Sequence, residues 1–154
     1  VDSASTTATV MLITAAASIF AYILTRSRID VAINEALINI TGGNKIIFFM
    51  IVNVILLIAG CFLDSTSALY IFVPLFVPVA NSLGIDLVHL GVVMIVNLAI
   101  GLVTPPVGVN LYVACGIAKC SLKEISVAVL PLIAASLIVL LLITYVPAIS
   151  LLFI

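Results

Sequence analysis

Residues 125–154 contain no Asp, Glu, Lys or Arg, and neither do residues 65–85 or 87–118. Runs of that length exclude a water-soluble fold, because a helix that is apolar all round must be buried in protein or in lipid. At ~1.5 Å per residue, about 20 residues cross a hydrocarbon core roughly 30 Å thick. The composition agrees: 66% of the 154 residues are hydrophobic, 7% are charged, and the mean hydropathy is +1.54. The chain reads as an all-α integral membrane protein.

The charges are confined to Asp2, Arg26, Arg28, Asp30, Glu35, Lys45, Asp64, Asp86, Lys119, Lys123 and Glu124, which mark the water-facing turns. A net charge of −1 leaves no basic face for nucleic acid. Cys61, Cys115 and Cys120 match no zinc or redox spacing and read as small packing residues. Arg26, Arg28 and Lys45 fall on one side of the membrane and Lys119 and Lys123 on the other, so charge bias alone does not orient the chain.

Between the charges, residues 4–25 are long enough for a first transmembrane helix. They lack the basic n-region and cleavage site of a signal peptide, so the chain reads as a mature or truncated piece. Residues 29–41 place Ile29, Ala32, Ile33, Ala36, Leu37 and Ile40 on one helical face, the pattern of an interfacial helix. Residues 46–83 read as two helices meeting at the polar tip Asp64, Ser65, Thr66 and Ser67, and length alone allows either a full crossing or a re-entrant hairpin. Residues 90–118 read as a transmembrane helix broken at its centre, and 125–154 as a last span.

The break is "GLVTPPVGVN" at 101–110. Pro105 and Pro106 supply no N–H, while Gly101 and Gly108 let the backbone swing. Unsatisfied backbone groups cost several kcal/mol in lipid, so such a break persists only where protein or a watery cavity shields it. The carbonyls of Gly101, Leu102, Val103 and Thr104, with the Thr104 hydroxyl, form an oxygen-rich neutral set that suits Na⁺. The half-helix that follows presents the positive end of its dipole, and Asn110 reaches from its first turn, which suits an anion.

Asp64 is the only charge between Lys45 and Asp86, and an intramembrane carboxylate is a functional candidate by default. Cation binding is weighed against a plain helix N-cap, for which Asp, Ser and Thr are preferred. Asn53 and Asn97 read as ties between helices, His89 as interfacial rather than catalytic, and Pro74 and Pro78 as bends in a hairpin arm. An intramembrane protease would need a second acid, or a serine with a base, and the residues around Asp64 offer neither, so no enzyme is expected. A purely structural subunit, or a broken-helix transporter of another family, are the remaining alternatives.

"GLVTPPVGVNLYVACGIA" at 101–118 resembles the signature of the large membrane subunit of TRAP transporters, the DctM-type protein, and 60–86 resembles the stretch before it. The resemblance covers essentially the whole chain, which would correspond to the C-terminal third or so of that subunit. It implies inverted repeats, each with a re-entrant hairpin and a broken helix, so this chain would hold the second, C-terminal repeat. It also implies a multi-pass protein of the bacterial inner membrane, with the Lys119 and Lys123 turn cytoplasmic. The function implied is sodium-driven uptake of organic acids, such as C4-dicarboxylates or sialic acid, by an elevator-like motion. The implied partners are a periplasmic substrate-binding protein, a small DctQ-type membrane subunit and the remainder of the large subunit. Na⁺ is the coupling ion, with no further cofactor. Carried over onto this sequence, Asp64, Ser65, Thr66 and Ser67 with Gly101, Val103, Thr104, Pro105, Pro106, Gly108 and Asn110 would line the sodium and substrate region. Half of a site shared between repeats would lie outside this chain, so the segment alone would not transport.

Overall fold

The computed structural model describes residues 29–152 and, ahead of them, the isolated positions Met11, Ala15, Ile19, Tyr22, Ile23 and Arg26. Those positions apart, the first transmembrane segment expected at 4–25 lies outside the described residues. The regular structure of the described residues is all helix: α1 (Ile29–Thr41), α2 (Lys45–Phe62), α3 (Ser65–Ser82), α4 (Leu87–Gly101), α5 (Val109–Ala118), α6 (Leu122–Tyr145) and α7 (Pro147–Leu151). Helices α2, α3 and α6 are long and apolar enough to cross a membrane.

The sparse polar residues set where helices begin. Asn44 accepts from the Ile46 amide at 2.8 Å, Asp64 from Ser67 at 3.0 Å, and Asp86 from Val88 at 2.8 Å and His89 at 3.2 Å. Ser121 and Glu124 form a reciprocal capping box at the start of α6. Each cap satisfies N–H groups that a helix start leaves without an intrahelical partner. Pro147 opens α7, a position where its missing N–H costs nothing.

Phe48, Val52, Leu56 and Gly60 recur every four residues along α2 and are buried, as are Leu90, Val93, Met94, Leu98 and Gly101 along α4. Contacts advance together along the two helices, from Phe49 against His89, through Asn53 with Asn97, to Gly60 against Gly101. Helices α2 and α4 therefore run parallel. Helix α6 runs against them, since Thr144 meets Asn53 while Ile133 and Leu137 lie beside Cys61. Phe76, Val79 and Ala80 of α3 complete the core.

Lipid tails are as apolar as these side chains, so close packing and hydrogen bonds must hold the helices together. At Gly60 and Gly101 the two backbones almost touch: a Cβ on Gly101 would sit 2.6 Å from the Gly60 Cα, and one on Gly60 would sit 3.0 Å from the Gly101 Cα. About two turns toward the start of α2, Asn97 Nδ2 donates to Asn53 Oδ1 at 2.7 Å, and Asn53 Nδ2 donates to Thr144 Oγ1 at 3.2 Å. The two asparagines thus tie α4 to α2 and α2 to α6. Asn97 Oδ1 is buried with no partner among the described residues. His89, only 3% exposed, extends the polar chain, with Nε2 3.2 Å from the Thr144 carbonyl and Nδ1 2.9 Å from Ser150 Oγ. A carbonyl only accepts, so Nε2 carries the hydrogen and, in the neutral ring, Nδ1 accepts from Ser150.

Adding a methyl group at these glycines tests the contact. In the purified protein, Gly101→Ala is expected to lower stability by about 1–3 kcal/mol, Gly60→Ala by less, and Gly91→Ala, which meets nothing within 4 Å, hardly at all. Thermal unfolding in detergent reads that order, and equal effects at all three positions would contradict it. A double-mutant cycle of Asn53→Leu with Asn97→Leu is expected to give a coupling energy of about 0.5–1.7 kcal/mol.

Candidate functional site

Helix α4 ends at Gly101 and α5 starts at Val109, with residues 102–108 outside any helix. The stretch folds back on itself: the Thr104 amide donates to the Gly101 carbonyl at 2.9 Å, and the Asn110 amide donates across it to the Leu102 carbonyl at 3.2 Å. The Thr104 hydroxyl donates to the Ile100 carbonyl at 2.7 Å. Of the four carbonyls expected to point at a ligand, those of Gly101 and Leu102 are thus already paired. Those of Val103 and Thr104 accept no hydrogen bond among the described residues. The Pro105–Pro106 peptide is cis.

Gly108 precedes α5 at φ +54, the left-handed region that glycine adopts without penalty, and supplies no side-chain cap. Helix α5 therefore starts without a side-chain cap: its Asn110 amide goes to Leu102 and its Leu111 amide to the Gly108 carbonyl at 2.7 Å, and the positive end of its dipole faces the break. Asn110 is exposed in that first turn.

The structure brings the last turn of α2 to the break. Cys61 accepts from the Gly108 amide through its carbonyl at 3.1 Å, and its thiol lies 3.8 Å from the Pro105 carbonyl. Sequence reasoning treated Cys61 as packing only, and the signal it passed over was a small pair, Gly60 and Cys61, one turn before the polar tip. Three residues further on, Asp64 caps α3 by accepting from Ser67 N. Asp64 and Thr66 are exposed, and Ser65 and Ser67 are half-buried. No side-chain hydrogen bond joins these four residues to the break among the described residues.

Depth follows from the packing against α6. A cavity of about 280 Å³ lies between Cys61, Thr104 and the two prolines on one side and Ile133 and Leu137 of α6 on the other. Its lining is nearly all apolar, and none of Asp64, Ser65, Thr66 and Ser67 contributes to it. At the opposite end of α2, Lys45 and the Gly84–Asp86 turn lie beside Thr144 and Tyr145, the last turn of α6. From Ile133 and Leu137 to Leu122, at the other end of α6, the helix runs on for roughly 16 to 23 Å at ~1.5 Å per residue. The end of α2 and the break therefore share one level, well inside the length of α6.

Fold and site together define an all-α membrane protein in which a polar helix link and an interrupted helical stretch lie close to one another. Residues 1–149 match the family of the tripartite ATP-independent periplasmic transporter DctM component, and the chain belongs to that family. It is 45% identical over 153 residues to the isethionate TRAP transporter permease protein DctMQ of Oleidesulfovibrio alaskensis, covering 99% of this chain and 24% of that one. It is 42% identical to the C4-dicarboxylate TRAP transporter large permease protein DctM of Vibrio cholerae, covering 97% and 33%. To the sialic acid TRAP transporter large permease protein SiaM of the same organism it is 35% identical, covering 98% and 35%. The chain thus spans about a quarter to a third of the length of these curated relatives.

Gly108 and Gly42 separate strain from packing at the break. Both have positive φ, +54 and +57, but a Cβ on Gly108 would lie 3.0 Å from the Thr104 carbonyl oxygen and from the Leu111 side chain, whereas Gly42 is open. Gly42→Ala is expected to cost about 1–2 kcal/mol of backbone strain, and Gly108→Ala distinctly more. Unfolding midpoints of the two variants, measured side by side, check the difference.

Proposed function

We propose that this chain supplies the hairpin and interrupted-helix half of a sodium-coupled permease subunit that takes up small organic acids across a bacterial inner membrane. The observation that carries the reading is the meeting of the α2 end with the break at a level inside α6, through the Cys61 carbonyl and the Gly108 amide. Tip and break at mid-depth favour a re-entrant hairpin of α2 and α3 over a full crossing, with α4 and α5 as two halves of one discontinuous span. This segment would then be the second of two inverted repeats, facing the first in the remainder of the subunit.

Substrate class follows from chemistry and kinship. The relatives are named for isethionate, C4-dicarboxylate and sialic acid, all anions at neutral pH. No Lys or Arg occurs between Asp64 and Lys119. An acid held there would be balanced by the uncapped start of α5, by hydroxyls, and by bound Na⁺. The Val103 and Thr104 carbonyls and the Asp64 carboxylate would serve the sodium ion. Ser65, Thr66, Ser67 and Asn110 would serve the substrate. Gly101, Pro105, Pro106 and Gly108 would hold the backbone shape. Coupling then has a physical reason: without the cation, the anion meets too little positive charge to bind. A periplasmic binding protein would deliver the acid, a small DctQ-type subunit would accompany the permease, and an elevator-like movement would carry the site across.

Proteoliposomes holding the full permease with its partners test this. Uptake of a labelled panel of sulfonates and carboxylates is expected to require an inward sodium gradient, and to be lost in Asp64→Ala and in Thr104→Ala variants that still fold. Uptake that is indifferent to sodium, or unchanged in both variants, would leave the two features as structural elements only.

A further inference from the structure

A second cavity, of about 300 Å³, lies at the base of the hairpin, at the opposite end of α2 from the break. The first turn of α2, the Gly84–Asp86 turn, the first turn of α4 and residues 144–147 at the end of α6 enclose it. Two membrane-length helices, α2 and α6, end there. The cavity therefore sits where hydrocarbon gives way to headgroups.

Its chemistry is lopsided. Lys45 is exposed, donates one hydrogen to the Gly84 carbonyl at 2.9 Å, and forms no ion pair among the described residues. An ammonium group has three hydrogens, so two remain to be given. Asp86, which lines the same cavity, turns its Oδ1 to the Val88 and His89 amides and forms no ion pair with Lys45 among the described residues. His89, at the buried side of the cavity, has both ring nitrogens occupied by Ser150 and Thr144. The Tyr145 hydroxyl, at the rim, has no partner among the described residues. The apolar part of the lining is Ile46, Phe49, Ile85 and Pro147. A free anion would gain from Lys45 but nothing from those walls. A molecule with an anionic head and a hydrocarbon tail would use both.

We propose that this cavity is a binding site for an anionic phospholipid, with its phosphate on the Lys45 ammonium and the Tyr145 hydroxyl and its first acyl carbons against Ile46 and Phe49. The juxtaposition of an unpaired cation, a phenol and an apolar wall at the membrane boundary carries it. Lipid bound here would brace the hairpin base against the end of α6. The inference is independent of the substrate reading, since a permease that fails sodium-driven uptake still presents this site.

The test uses the full permease chain in detergent and a photoactivatable phosphatidylglycerol, with cross-linked peptides mapped by mass spectrometry. Labelling is expected within residues 45–49 and 144–147, and to be competed by unlabelled phosphatidylglycerol but not by phosphatidylcholine or millimolar inorganic phosphate. Lys45→Ala is expected to weaken phosphatidylglycerol retention by about fivefold or more, with Lys45→Arg restoring it and Lys123→Ala leaving it unchanged. Labelling elsewhere, or equal competition by phosphatidylcholine, overturns the proposal. Competition by inorganic phosphate instead makes this a free-anion site and overturns the lipid assignment. The wild-type mapping stands even if Lys45→Ala fails to fold.

Discussion

Every backbone N–H and C=O placed in hydrocarbon needs a partner, and this structure is arranged around that requirement. Asn44, Asp64, Asp86 and Ser121 cap helix starts that would otherwise leave amides bare. The long departure from helix among the described residues, 102–108, pairs most of its groups: Thr104 with Gly101, Asn110 with Leu102, and Gly108 with Cys61 on a different helix. What remains unpaired there among the described residues, the Val103 and Thr104 carbonyls, is what the break leaves for the proposed ligand. The candidate site is thus the remainder of a nearly complete pairing, which is why it is small and bounded.

Holding that arrangement in lipid needs contacts that do not depend on excluding water. The Gly60–Gly101 approach places α2 and α4 backbone to backbone just before the break, so the Cys61 carbonyl can reach Gly108. Further along the same pair of helices, the Asn97–Asn53–Thr144 chain adds directed bonds to shape complementarity and recruits α6. A side chain larger than hydrogen at Gly101 would widen the gap that Cys61 bridges, so helix packing and site geometry are one problem here.

Much of the fold was legible in consecutive residues. Charge-free length announced membrane helices, the polar residues marked their starts, and two prolines between two glycines marked the interruption. Asn53 and Asn97 read correctly as ties between helices, because a carboxamide in lipid seeks a partner. Asp64 was weighed as cap or ligand, and it does cap α3 through the Ser67 amide. His89 has partners that local reading could not name. Its neighbours in sequence suggest a turn at an interface, and only the packing shows that it is buried there with its ring nitrogens on Thr144 and Ser150, 55 and 61 residues away.

The sequence by itself determined an all-α membrane chain, the helix boundaries near its few polar residues, and a non-helical stretch around the two prolines at 105 and 106. These follow from run length, caps and the missing N–H of proline, all properties of residues adjacent in the chain. Only the tertiary structure decided that the end of α2 and the break lie at one level inside α6, and which of the freed carbonyls stay free. Those outcomes depend on contacts between residues 44 to 91 positions apart, such as Cys61 with Pro105 and Asn53 with Thr144, whose partners are chosen by how helices pack rather than by local pattern.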